Sequence, residues 1–274
     1  MRDLIQRALE EDLGAGDLTS RAVVPENSLA TGVVIAKADG VVAGIDVVAA
    51  VFAAVDQELS VELRAADGDH VAPGDELLAL RGNARAILAG ERVALNLLGR
   101  LSGVATLTAR YVAAIDGTGT RILDTRKTTP GMRALEKAAV VAGGGISHRF
   151  GLYDAILVKE NHVRVAGGVG EAARRALAGA PKDVVVEIEV ETLEELDEAL
   201  AAGIGRVLLD NMDPGVLRAA VERTAGQAEL EASGGITLET ARAVAETGVD
   251  FISVGALTHS APALDVSLLF DPEA

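Results

Sequence analysis

Arg126, Lys127, His148, Arg149 and Lys159 crowd five basic side chains into one stretch of an acidic chain. The whole sequence carries a formal net charge of -16, yet residues 121–164 hold eight Lys or Arg against four Asp or Glu. Several of these cations flank apolar runs: Arg126 and Lys127 follow ILD, and Lys159 ends AILV. A cation buried without a partner is strongly destabilising, so a cluster at the edge of a strand-rich core calls for bound anions. Arg, Lys and His suit both polycarboxylates and phosphates. The plainer alternative is surface ion pairing. It fits less well, because these residues fall at strand ends and in the glycine-rich run GGGISHR (143–149) rather than on helix faces.

Acidic groups complete the set. Glu189 and Asp210 end neighbouring strand-like segments, and paired carboxylates opposite a phosphate site suit Mg²⁺ or ribose hydroxyls. The other reading is ion pairing with the basic set. Glu187 shares a face with Glu189, because strand side chains alternate. Ser233-Gly234-Gly235, ahead of a helical pattern at 237, offers backbone N–H groups and a helix N-terminus to a dianion. A second glycine turn runs from Gly255 to His259. Two such turns at consecutive strand ends suit a phosphate site split between the last loops of a barrel. Arg92 and Asn96 lie one helical turn apart, and Gly99 and Gly103 continue that face, the pattern of a close helix crossing.

Other chemistries are excluded. With no Cys, there is no disulfide, thiolate catalysis or cysteine metal site. G-x-S-x-G and H-E-x-x-H are absent, and the glycine run does not match G-x-G-x-x-G. A pI near 4.7 argues against general nucleic-acid binding. The N-terminus has no signal-peptide apolar core and no window is apolar enough to span a membrane, so a cytoplasmic location is expected.

The elements that must hold these groups fall into two patterns. Residues 1–115 mix an acidic helix (2–12), strand-like segments (31–37, 59–64, 76–80) and a long helical pattern (84–115). From 121 the chain alternates strand and helix. Strands are expected at 121–124, 154–159, 184–190, 206–210, 228–232 and 250–254, with helices at 131–142, 168–179, 192–202, 214–225 and 237–247. Short apolar strands joined by amphipathic helices predict parallel βαβ units. The stretch is too short for a standard eight-unit barrel of roughly 250 residues. Six units give either a smaller irregular barrel or an open sheet. In both, the C-terminal strand ends gather on one face, where all the polar clusters fall.

The segments ERVALNLLGRLSGVAT, DTRKTTPGMRALEKAAVVAGGGISHRFGL, DAILVKENH, EIEVE, LLDNM, ASGGIT and SVGALTHSA together resemble the quinolinate phosphoribosyltransferases, a type II phosphoribosyltransferase family. The resemblance implies an N-terminal open α/β sandwich (1–103, joined by the tail 260–274) and a C-terminal irregular α/β barrel of about six parallel strands (104–259). It implies phosphoribosyl transfer from 5-phosphoribosyl 1-pyrophosphate to quinolinate, Mg²⁺ as cofactor, and a homodimer with shared active sites. Arg126, His148 and Arg149 would bind the quinolinate carboxylates, and Lys127 and Lys159 would contact either substrate. Arg92 would reach across from the other subunit. Glu189 and Asp210 would hold ribose hydroxyls and Mg²⁺, while Ser233, Gly234, Gly235, Gly255 and His259 would surround the 5-phosphate. Four alternatives stay open: a sister enzyme acting on nicotinate or another acid, a molybdenum-transport-associated relative of unknown substrate, a Schiff-base lyase using Lys159, and a non-catalytic phosphosugar-binding protein.

Overall fold

A computed structural model of the chain describes residues 1–272. The first half runs α1 (Arg2–Leu13), α2 (Leu18–Val23), β1 (Leu29–Ala36), β2 (Gly40–Val41), α3 (Ile45–Val55), β3 (Ser60–Leu63), β4 (His70–Val71), β5 (Glu76–Asn83) and α4 (Ala84–Ala114). Strand and helix then alternate: β6 (Arg121–Leu123), α5 (Arg133–Ala142), β7 (Ile156–Val158), α6 (Glu160–Ala166), α7 (Val169–Gly179), β8 (Val186–Val190), α8 (Leu193–Ala201), β9 (Arg206–Asp210). The chain continues with α9 (Pro214–Thr224), β10 (Glu229–Ser233), α10 (Leu238–Ala245), β11 (Phe251–Ser253), α11 (Ala256–His259) and β12 (Val266–Pro272). Among the described residues no helix is long and apolar enough to cross a membrane.

Two compact units result. The first comprises residues 1–109, 128–144 and 258–274, and the second 110–127 and 145–257. Helix α5, read from sequence with the strand–helix half, belongs to the first unit.

The first unit is built on an antiparallel sheet ordered β12-β1-β5-β3. Strand β1 alternates buried and half-buried residues, as expected of a sheet with one covered face. Val34, Leu77, Leu78, Val48, Val51 and Phe52 form its core. The C-terminal strand β12 returns to the edge of β1, pairing Val266 with Ala36 and Leu269 with Val33. Gly99 and Gly103 of α4 are explained by this return. A Cβ on Gly99 would lie 2.8 Å from the Leu264 carbonyl oxygen, and the Leu264 N–H donates to Gly99 O at 2.8 Å. A Cβ on Gly103 would collide with the Pro262 carbonyl and lie 3.0 Å from Ala263 Cα.

The second unit holds the six-stranded parallel sheet β6-β11-β10-β9-β8-β7. Each strand from β7 to β10 pairs with its successor, and β11 pairs with β6, so β6 and β7 stand at the two ends of the order. On the free side of β6, Leu123 makes a parallel bridge to Ile146. Successive parallel strands joined by helical crossovers of one hand put the helices on one side and leave the other strand face inside. Caps stop and start the helices: Asp213 accepts from the N–H groups of Gly215 and Val216 at the start of α9, with Pro214 in the first turn.

Gly103→Ala should destabilise the first unit by roughly 1–3 kcal/mol, the range for overpacking against backbone that cannot move freely. Urea unfolding of the variant beside the parent protein measures it.

Candidate active site

Period-two alternation decides what the inner face of the second unit carries. On β8 it carries Glu187 and Glu189, on β9 Arg206 and Asp210, and on β10 Glu231 and Ser233. The opposite face of the same strands is apolar and buried at Ile188, Val190, Val207, Leu209 and Leu230. Polar residues therefore form two levels, one at the C-terminal strand ends and one below it.

At the strand ends, Lys159 Nζ forms an ion pair with Glu189 Oε2. The motif around Lys159 is explained by α6: the His162 ring accepts the Lys159 N–H at 2.9 Å, fixing the lysine at the end of β7. Asp210 accepts from Asn211 Nδ2 at 2.7 Å. Burial pushes the Asp210 carboxyl above the usual carboxylate range and the Glu189 charge adds to this, while Lys159 and Lys127 pull it back. These four charges thus share one neighbourhood. Two carboxylates, one of them penalised by the other, are hard oxygen donors whose repulsion a divalent cation would relieve, so the pair fits Mg²⁺.

Of the carboxylate-binding candidates, Arg126 follows β6, and His148 and Arg149 lie on the segment between Ile146 and β7. Gly143 and Gly144 finish α5: their N–H groups donate to Ala139 O at 3.0 Å and Val141 O at 2.9 Å, and Gly144 takes φ 84°. The glycine run is therefore first a helix stop. Beyond it the His148 N–H donates to Asp124 Oδ1 at 2.8 Å and the Arg149 N–H to His148 Nδ1 at 2.6 Å. Asp154 accepts from the N–H groups of Phe150 (2.6 Å) and Gly151 (2.9 Å). Burial lowers the pKa of the Arg149 guanidinium, and the neighbouring Arg126 charge lowers it further. The two arginines thus face the same region and repel each other across it.

The glycine turn after β10 has its own geometry. Gly234 takes φ 100° and Gly235 φ 60°, and a Cβ on Gly234 would lie 3.0 Å from the Asn211 backbone nitrogen and meet its side chain. Only glycine lets the turns after β9 and β10 approach this closely. Gly255 follows β11, half-buried. Arg92 and His259 belong to the first unit. Arg92 is exposed on α4 with Glu91 3.8 Å away, and the His259 ring nitrogen Nδ1 lies 2.6 Å from Ser260 Oγ.

One level down lies a cluster that reading by motif missed. His148 Nε2 is 3.0 Å from Glu187 Oε2 and 3.2 Å from Glu231 Oε2. Arg206 lies 2.9 Å from Glu231 Oε2 and 3.3 Å from Glu187 Oε1. Glu187 and Glu231 are buried, at 3% and 1% exposure. Phe251 is stacked between the guanidiniums of Arg121 and Arg206, 4.5 and 4.2 Å from its ring centre. His148, Glu187 and Glu231 also have the makings of a metal site, but Arg206 already supplies the cation between the two carboxylates. The signal for Arg206 and Glu231 was present in sequence as the i, i+4 and i, i+2 spacing to Asp210 and Ser233 along the inner face.

The proton balance of this cluster follows from its burial. Burial disfavours the charged His148 ring, but the hydrogen bonds to Glu187 and Glu231 outweigh it and push its pKa up to about 9. Burial pushes the Glu187 carboxyl up. Burial alone would raise Glu231, but the hydrogen bond and charge of His148, a hydrogen bond with Ser253 and the Arg206 charge together hold it below the usual range. The Arg149 N–H aimed at Nδ1 needs a lone pair there, which an imidazolium lacks. The proton that makes Arg206, His148 and two carboxylates neutral therefore belongs to the cluster rather than to one atom.

An α/β barrel whose strand ends offer guanidiniums, lysines, a carboxylate pair and glycine turns is of the class that binds phosphorylated and carboxylated small molecules. The chain belongs to the quinolinate phosphoribosyltransferase family: the family's N-terminal domain matches residues 17–102 and its C-terminal domain residues 104–269. It is 45% identical over 268 residues to a probable nicotinate-nucleotide pyrophosphorylase (carboxylating) of Bacillus subtilis, covering 98% of this chain and 92% of that one. It is also 45% identical to the nicotinate-nucleotide pyrophosphorylase (carboxylating) of Mycobacterium leprae, over 97% and 96% of the two chains. The crystal structure of NadC from Streptococcus pyogenes superposes with a TM-score of 0.96 at 40% identity, covering 100% of this chain and 97% of that one.

The cluster's proton gives a pH dependence. An unfolded histidine releases its proton near 6.5, whereas the folded cluster keeps it up to about 9. A folded value raised above the unfolded one means a contribution to stability that is full below 6.5 and is lost as pH rises through 9. Glu231→Gln removes one of the carboxylates that hold this proton. Its melting temperature should fall less steeply than the parent's between pH 6.5 and 9, measured by thermal denaturation in matched buffers.

Proposed function

We propose that this protein transfers the phosphoribosyl group of 5-phosphoribosyl 1-pyrophosphate to the ring nitrogen of quinolinate with loss of CO₂, giving nicotinate mononucleotide and pyrophosphate for NAD biosynthesis. One observation carries this reading beyond family membership. Two mutually repelling arginines and a lysine–carboxylate group stand on the same unit, the first suited to a dicarboxylate and the second to a phosphorylated sugar. A mono-acid would leave more of the arginine repulsion unrelieved, which favours quinolinate over nicotinate.

In this reading Arg126, His148 and Arg149 form the carboxylate side of the pocket and orient the pyridine nitrogen toward the sugar C1, the arginines by charge-assisted bonds. Lys127 and Lys159 lie where negative charge develops on the departing pyrophosphate. Glu189 and Asp210 accept from the ribose hydroxyls and stabilise the cationic sugar that forms as the C1–O bond breaks. The N–H groups around Ser233, Gly234, Gly235 and Gly255 hold the 5-phosphate. After the N–C1 bond forms, the positive ring nitrogen stabilises the electron pair left at the adjacent carbon when CO₂ departs, and that carbon takes a proton. Glu189 and Asp210 would also hold Mg²⁺, which when bound neutralises pyrophosphate charge.

The same reading extends to assembly and location. A homodimer is supported by the exposed apolar side chains Leu18 and Val23. Arg92, extended from α4 into solvent, is the residue one subunit would offer to its partner's pocket. A cytoplasmic location is consistent with the absence of a membrane-crossing helix among the described residues.

Purified protein with quinolinate, 5-phosphoribosyl 1-pyrophosphate and Mg²⁺ should form nicotinate mononucleotide and release CO₂, with nicotinate a far poorer substrate. Turnover of nicotinate alone would move the chain to the sister activity. Arg149→Ala should raise the quinolinate KM roughly tenfold to a hundredfold, the equivalent of a lost charge-assisted bond. An unchanged quinolinate KM would remove Arg149 from the carboxylate side.

A further inference from the structure

Arg149 stands on a segment with no regular secondary structure between Ile146 and β7. An arginine on such a segment loses rotamer and backbone freedom when it binds, unless the fold has already ordered it. Its backbone N–H ends on His148 Nδ1 at 2.6 Å, and the residue before it is tied by its own N–H to Asp124 Oδ1 at 2.8 Å. The orientation of the His148 ring therefore sets where the Arg149 backbone can sit. The other ring nitrogen is held by carboxylates from two strands, Glu187 of β8 and Glu231 of β10. Arg206, on β9 between them, contacts both. Three adjacent strands brace one imidazole, and both of its nitrogens are engaged within the protein.

We infer that Glu187 and Glu231, held by Arg206 between them, are positioning residues of the carboxylate pocket, acting on Arg149 through the His148 ring. This rests on the proposed reaction and deepens it: His148 works chiefly by presenting Arg149. The arrangement requires one ring tautomer, with the proton on Nε2 facing the carboxylates and the Nδ1 lone pair facing the Arg149 N–H. A cluster that merely filled the barrel would place no demand on the tautomer and would show no preference between the two substrates.

The test has two readouts. In ¹⁵N-histidine-labelled protein, which has four histidines, the His148 ring should give the pattern of a fixed Nε2–H tautomer, assigned by its loss in His148→Gln. Tautomer averaging, or an imidazolium protonated on both nitrogens, in the parent protein would overturn the inference, whether or not any activity is found. In kinetics, Glu231→Leu should raise the quinolinate KM roughly tenfold or more, with the KM for 5-phosphoribosyl 1-pyrophosphate within about twofold. Glu231→Gln, which keeps an acceptor for Nε2–H, should recover most of that loss. Equal changes in both KM values, or a change in kcat alone, would make the cluster structural only. If the parent protein turns over neither substrate pair while the tautomer is fixed, the reaction assignment fails and the bracing of His148 stands.

Discussion

Two carboxylates cannot be buried side by side within a barrel unless something positive lies between them, because burial in a medium of low polarity penalises every uncompensated charge. Arg206 meets that demand for Glu187 and Glu231, and much of the second unit is arranged around it. Its guanidinium needs a strand position flanked on both sides, which β9 has. Its outer face needs cover, which Phe251 gives by stacking. The remaining valence of the carboxylates is met from the level above by His148, which joins the inner charge cluster to the anion-binding rim.

This two-level design explains why the strands look as they do. A parallel strand covered on both faces reads as a continuous apolar run, and β9, RVLLD, is nearly that. The polar exceptions fall at every second residue of one face. The upper exceptions, Glu189, Asp210 and Ser233, reach the strand ends, where ligands can approach. Of the lower ones, Glu187 and Glu231 are buried and Arg206 is half-buried between them, so the carboxylates are satisfied within the cluster. Reading residues at strand ends found the first set. Finding the second requires following each strand back two or four residues and asking which charge could neutralise which, a question that depends on strand order and not on any local run.

The legible part of the fold was the part written in local pattern. Alternation of short apolar strands with amphipathic helices gave all six parallel strands to within a few residues, and the long helix 84–115 is α4 almost to the residue. Helix α3 was not legible: IDVVAAVFAAV is apolar all round, so no stripe marks its covered face. Nor was the pairing of β12 with β1, since a contact between residues some 230 positions apart leaves no local trace; only the expectation that the tail returns to the N-terminal sheet anticipated it. GGGISHR divides the same way. Its glycines suggested a ligand loop, whereas the first two terminate α5 and only the residues after Ile146 carry charge to the site.

The arrangement of charge at the strand ends bears on what could bind there. Burial and the Arg126 charge lower the pKa of the Arg149 guanidinium, and burial and the Glu189 charge raise the carboxyl of Asp210, so like charges lie close together among the candidate residues. A fold could relieve this by interleaving the signs, as the lower level does with Arg206. At the strand ends the interleaving is partial: Lys159 pairs with Glu189 and, with Lys127, draws the Asp210 carboxyl down, while Glu187 and Asp154 act against the repulsion between Arg126 and Arg149. In the proposed reaction the remaining repulsion would be relieved by a dianion against the arginines and by the developing sugar cation against the carboxylates. The formal charge of -16 over the whole chain sharpens the contrast, because it makes the arginine side a local exception toward which an anionic substrate is drawn. In the proposed reaction such repulsion between neighbouring like charges would favour the pair of substrates whose charges offset it.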